Sequence, residues 1–322
     1  MLNYSVAELR VYNNDSVKLI SMNKKFPTLA IAVAAFCLAS CHCDDDTSTT
    51  SKYITVATSI GQMTRTTTDA NGNQEFAKDD QISIYAWTGN ATAVPADFVV
   101  NNSINTYDGA KWTASPQMLW KDMETPHYFL GIYPNHAVTD FTADEYALDT
   151  EKQEASDLLV AVNTGIEGAG ITATANPVSL MFNHVMSKLI VNLQFRNQWA
   201  TTPTVASVTA TAKKAATVNY VTATGTVVTV TGEQSDIVLP VTAANTCYTS
   251  IMVPQSDFRT INIVIDGKTY TFTHTEDIAL ESGKYTTVNL IVGRNEITLG
   301  SVSINNWQEG TNISGGEAQT DN

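Results

Sequence analysis

The chain has 322 residues, 43% of them hydrophobic, and its 32 acidic against 18 basic side chains give a net charge of −14. That sign disfavours a nucleic-acid or anionic-lipid surface as partner. Four cysteines in so long a chain are too few for a disulfide scaffold.

Met22 opens a better start than Met1, because Lys24 and Lys25 form a short basic region ahead of an apolar run over residues 26–38. This is the layout of a secretory signal peptide. The run spans about 13 residues, against the roughly 20 that a helix needs to cross hydrocarbon, so it is read as a removed segment and not as a permanent span. It ends in Leu38-Ala39-Ser40-Cys41, which resembles a lipobox. The small residues fit a signal peptidase cutting between Ser40 and Cys41, and the Cys41 thiol accepts diacylglycerol. Two or three acyl chains, at roughly 0.8 kcal/mol per buried CH2, make a stable anchor. Residues 1–40 are therefore set aside as signal peptide with an upstream start extension, which removes four Lys/Arg and two Asp/Glu and leaves a net charge of −16.

Residues 41–52 follow as the lipidated cysteine and a flexible tether, since Cys43, Asp44, Asp45, Asp46 and the Ser/Thr stretch over 47–51 cannot bury a core. The acidic triplet resembles the surface-export signal found after the lipidated cysteine in some Gram-negative lipoproteins. After export only Cys43 and Cys247 remain, too far apart in sequence to suggest a bridge or a zinc site.

The rest of the chain shows no sustained helical period. Short Thr/Val/Ile/Tyr runs recur between Gly, Asn, Asp and Pro punctuation, the pattern of an all-β sandwich protein. Strands are predicted within residues 53–60, 81–87, 127–133, 187–195, 226–230, 248–253, 260–265 and 285–292. The clearest hairpin covers residues 261–272, where Asp266-Gly267 supplies the positive φ angles of a type I′ turn. The length suits two domains. A Gly/Ala/Thr-rich stretch over residues 165–177 suggests a division into 53–176 and 177–322, with the boundary within about twenty residues of 177.

No set of residues in the sequence forms a recognisable catalytic, metal or cofactor constellation. The five histidines are scattered, and each is read as structural. Asp144-Glu145 and the acidic residues between 151 and 154 are read as a solvated stretch, and Asp79-Asp80 as a turn before a strand. Trp87, Trp112, Trp120, Trp199 and Trp307 are spread too widely for a sugar-stacking face and are read as core or loop packing.

Several segments taken in order resemble the fimbrillin family, lipoprotein-derived subunits of type V pili. They are Phe76-x-x-x-Asp80-x-Ile82, Pro116 to Trp120, Tyr128-Phe129-x-x-x-Tyr133-Pro134, Asp157-Leu158-Leu159-Val160-Ala161, Phe182-x-His184-x-x-Ser187-Lys188-Leu189, Gly283-Lys284-Tyr285, and the stretch from Ile304 through Trp307 to Gly310. The resemblance implies two tandem β-sandwich domains of transthyretin-like, Greek-key type. It implies a structural subunit or accessory adhesin, not an enzyme, with no cofactor. Its expected place is the outer membrane surface, tethered through lipid on Cys41, or the fimbrium once assembled. Its partners would be other pilin subunits, and host or bacterial surface ligands if it is an adhesin.

In the family a trypsin-like protease cuts after an Arg in the first strand, and a strand from another subunit fills the groove this opens, a form of β-augmentation. Arg65 fits that cut, between Arg65 and Thr66, because it follows the strand-like residues 53–60 and precedes the polar residues 66–74. The tail over residues 311–322 is a poor donor strand. A monomeric surface glycan-binding lipoprotein of a polysaccharide-uptake system is the alternative. It requires exposed aromatic platforms, with Trp112 and Trp120 the candidates.

Overall fold

The computed structural model describes residues 51–61, 75–163, 170–221 and 225–306. They lie within one compact unit, residues 48–322. The described residues form strands β1 (Val56–Ile60), β2 (Gln81–Thr88), β3 (Val100–Tyr107), β4 (Trp112–Ser115), β5 (His127–Tyr133), β6 (Asp144–Ala147), β7 (Leu159–Asn163), β8 (Val178–His184) and β9 (Ser187–Phe195). They continue with β10 (Val205–Asn219), β11 (Val227–Val238), β12 (Val241–Ala243), β13 (Cys247–Met252), β14 (Gln255–Ile265), β15 (Lys268–Leu280), β16 (Lys284–Val292) and β17 (Ile297–Asn306). Among the described residues the one helical element is a single 3-10 turn at Glu154–Ser156. The all-β expectation is met.

The first sheet has seven strands in the order β1-β8-β7-β5-β2-β3-β4. Both its faces are covered, which is why β2 is buried at six consecutive positions instead of alternating. Ile82, Ile84 and Ala86 point into one core cluster, and Tyr85 and Trp87 into another. β8 alternates cleanly, with Val178, Leu180 and Phe182 buried and Met181 58% exposed.

Two five-stranded sheets follow, one in the order β11-β10-β14-β15 with β6 on β10, the other β12-β13-β9-β16-β17. They share a core in which Leu189 and Val191 of β9 join Val208 of β10 and Ile261 and Ile263 of β14. That cluster is continuous with Tyr85, Tyr128 and Leu130 on the first sheet. The chain changes sheets between His184 and Ser187, and β6 crosses ahead of it to pair with β10. The β14–β15 hairpin has the predicted register, Ile265 opposite Lys268, with φ of 52° at Asp266 and 74° at Gly267.

Candidate functional site

The feature that separates this fold from an ordinary sheet stack is the way its first strand is held. In residues 52–60 the buried positions are Ile54, 1% exposed, and Val56, 7% exposed, while Lys52, Tyr53, Thr55, Ala57 and Ser59 face outward. This period-two pattern makes the segment a half-buried strand. Downstream it pairs in parallel with β8, Val56 opposite Val178 through Ile60 opposite Phe182. The pairing is extended at its ends by Val178 N–H to Thr55 O at 2.8 Å and Gly61 N–H to Phe182 O at 2.6 Å.

Upstream the same segment reaches the other side of the sheet. Ile54 N–H donates to Met118 O at 3.0 Å and Trp120 N–H to Lys52 O at 3.2 Å, with Tyr53 bridged antiparallel to Leu119. Residues 118–120 follow β4, the strand at the edge opposite β1. Trp112 on β4 donates its Nε1–H to Thr58 Oγ1 at 2.9 Å. Residues 52–60 thus bond to both margins of the seven-stranded sheet and close it like a stave over an apolar floor of Met118, Trp120, Phe129, Leu180 and Phe182. Phe76 caps one end, edge-on to Trp112 at 5.1 Å and to Phe182 at 5.3 Å.

Beside the end of β1 lies a cavity of about 490 Å³, lined among others by Ile60, Tyr133, Gln153, His184, Lys188 and Ser250. Gln153 Oε1 accepts Ile251 N–H at 2.7 Å, while its Nε2 has no hydrogen-bond partner. His184 Nδ1 is 2.9 Å from Asp157 Oδ1. Burial pushes the Lys188 ammonium pKa down, and the nearby Asp157 opposes that. Its lining holds Lys188 and His184 together with the carboxylates of Glu75, Asp80 and Asp157, so it offers no single-sign binding surface.

Ser40, Cys41, Arg65, Thr66 and Trp307 lie outside the described residues. Among the described residues no group of three or more His, Cys, Asp or Glu is placed to hold a metal. Trp87, Trp112 and Trp120 are 2%, 9% and 7% exposed, and the half-buried Trp199 donates to Val292 O. The described tryptophans are therefore packing residues, which leaves the glycan-binding alternative without the platforms it named. Asp79-Asp80 is a turn, with Asp80 Oδ2 accepting Ala77 N–H at 2.7 Å.

One expectation is corrected. The Asp144-Glu145 stretch is not simply solvated, because Asp144 opens β6 and its side chain, 11% exposed, accepts hydrogen bonds from Tyr220 and His136. Its short D-E-Y-A strand carries no apolar alternation to reveal it, and pairing with β10 makes it.

The described residues thus define an all-β protein whose first strand is laid over an apolar slot. The sequence profile described as Fimbrillin-like matches residues 64–307, and the chain belongs to that family. The fold is similar to that of a cell adhesion protein from Bacteroides uniformis, at 17% identity over 80% of this chain and 98% of that one, with a TM-score of 0.56. It is likewise similar to a cell adhesion protein from Bacteroides ovatus, at 17% identity over 81% and 99%, with a TM-score of 0.57. No curated protein matches significantly. Family membership gives the chain a fimbrial, adhesin-type role at the cell surface.

Proposed function

We propose that the chain is a subunit or accessory adhesin of a type V pilus, exported as a lipoprotein on Cys41, cut between Arg65 and Thr66, and assembled by exchange of its first strand. The observation that carries this reading is the stave of residues 52–60. It is bonded to both margins of the sheet, yet it joins the strands after it only through residues 61–75. A cut after Arg65 would divide the chain between β1 and β2, the next strand among the described residues. Departure of the stave uncovers the β8 backbone edge and the Met118–Phe182 floor, which a strand from a second subunit would re-cover. The cut also separates the body from its lipid, so an uncleaved copy serves as an anchor. We assign the chain two tandem sandwiches, passing from one to the other within about twenty residues of 177.

The test is limited trypsin digestion of protein starting at residue 42, followed by mass spectrometry of the new N-terminus, native gels and electron microscopy. Cleavage after Arg65 followed by ladders or filaments supports a polymerising subunit. Cleavage without assembly assigns a tip or accessory subunit that needs a different partner. Surface protein that keeps residues 41–65 in every assembled form would falsify the exchange mechanism.

A further inference from the structure

The segment that leaves β5 for β6 contains a histidine that faces an acceptor at each ring nitrogen. His136 Nδ1 is 3.1 Å from the Pro134 carbonyl oxygen, and Nε2 is 2.9 Å from Asp144 Oδ2. A neutral imidazole carries one N–H, so in either tautomer a ring lone pair would face an acceptor. The imidazolium satisfies both contacts.

The backbone on either side is tied to separate sheets. His136 N–H donates to Ser83 Oγ at 3.1 Å, Ser83 Oγ donates back to His136 O at 2.9 Å, and Val138 N–H donates to Tyr85 Oη at 2.9 Å, all on β2. Asp144 stands opposite Val218 of β10, and Tyr220, just past β10, donates to Asp144 Oδ2 at 2.6 Å. The His136–Asp144 contact therefore links the segment on β2 to the β6–β10 pairing.

We propose that His136 is a proton-dependent latch, which as imidazolium bonds Pro134 O and Asp144 Oδ2 together and clamps residues 134–147 between β2 and β10, and which on deprotonation gives up one of the two bonds and the charge attraction to Asp144, weakening the hold of this segment on the β6–β10 pairing. The titratable groups facing the ring are Asp144 from β6, Tyr220 behind it and Tyr85 from β2. Burial raises both phenols, so they stay un-ionised through the neutral range. The hydrogen bond to Asp144 raises the His136 pKa above the usual histidine value, burial opposes it, and the Pro134 carbonyl adds to it. A raised folded-state pKa makes the stabilisation fully present below the unfolded value of about 6.5 and removes it as pH climbs through the folded value. The latch is closed in mild acid and opens toward alkaline pH. His127 acts in the opposite sense, because burial lowers its pKa and so costs stability below about 6.5.

The experiment is a histidine-selective 13C NMR titration of the full chain, beside thermal unfolding of the protein and of the His136→Asn variant from about pH 6 to about pH 9. The His136 resonance is expected to titrate above about 6.5 in the unmodified protein and to fall back toward that value in Asp144→Asn. The melting temperature of the unmodified protein is expected to fall with rising pH relative to His136→Asn, and the protection of the β6 amides, measured against their intrinsic exchange rates at each pH, to fall over the same interval. A His136 midpoint at or below about 6.5 overturns the proposal, as do identical pH profiles for protein and variant. The titration is read on the unmodified chain, so it decides the matter even if a variant misfolds.

Discussion

The hold of the first strand is expected to rest on Ile54. It is 1% exposed over the slot floor, while the next residue, Thr55, faces solvent. Ile54→Ala removes three carbons, which at roughly 0.8 kcal/mol per buried methylene costs about 2.4 kcal/mol in transfer alone. A residual cavity adds to this, since buried Ile→Ala changes cost about 2–5 kcal/mol. A loss of about 3 kcal/mol corresponds to roughly 100-fold or more in the equilibrium holding the strand. The assay nicks the protein with trypsin and follows release of the N-terminal fragment by native mass spectrometry over time. Fragment carrying Ile54→Ala should leave far faster than wild type, and fragment carrying Thr55→Ala nearly as slowly as wild type. Equal release rates for the two variants would refute the stave geometry, because they would mean that the inward and outward faces of the strand contribute alike.

Trp112→Ala should destabilise the protein by about 3–5 kcal/mol in urea unfolding, the usual cost of truncating a buried aromatic, because this ring is 9% exposed in the core. Trp112→Phe, which keeps most of the ring but removes the Nε1–H bond to Thr58, should cost about 1 kcal/mol. Gly131→Ala places a methyl 2.7 Å from Phe182 Cζ, so overpacking should lower the urea midpoint by about 1–3 kcal/mol equivalent and disturb the slot floor. Gly267→Ala, at a φ of 74° in the β14–β15 turn, should cost about 1–2 kcal/mol, read as a lower melting temperature.

Much of the fold was legible because it follows from local chemistry. Asp266-Gly267 sets the β14–β15 register, and the alternation of Ile54 and Val56 marks a half-buried strand. The strand predicted at residues 226–230 proved to extend to Val238, because Gly232, at a φ of 77°, and Glu233 form an irregularity that interrupts the sequence pattern, and pairing with the longer β10 resumes at Gln234. β6 was hidden for the same reason, and so was the role of His136, whose two acceptors come from residues 134 and 144 and take on meaning only beside Tyr220. At the slot, the sequence shows a strand at residues 53–60 but not its receiving margins. Those margins lie at 118–120 and 178–182, more than fifty positions away.

The topology supports the proposal that this strand is the one exchanged. Every other neighbouring pair in the seven-stranded sheet is antiparallel, and β1–β8 alone is parallel. β2, β3, β4, β5, β7 and β8 remain connected in one sheet without β1. The contact between residues 56 and 178 closes a loop of more than a hundred residues, the longest-range strand pairing in this sheet, and its closure carries the largest loop entropy. Residues 52–60 are held there by their inward side chains and main-chain bonds. Under the proposed exchange, a second chain with apolar residues at the positions of Ile54, Val56 and Ile60 would meet the same margins and floor, and the outcome would depend on which strand buries more apolar surface there.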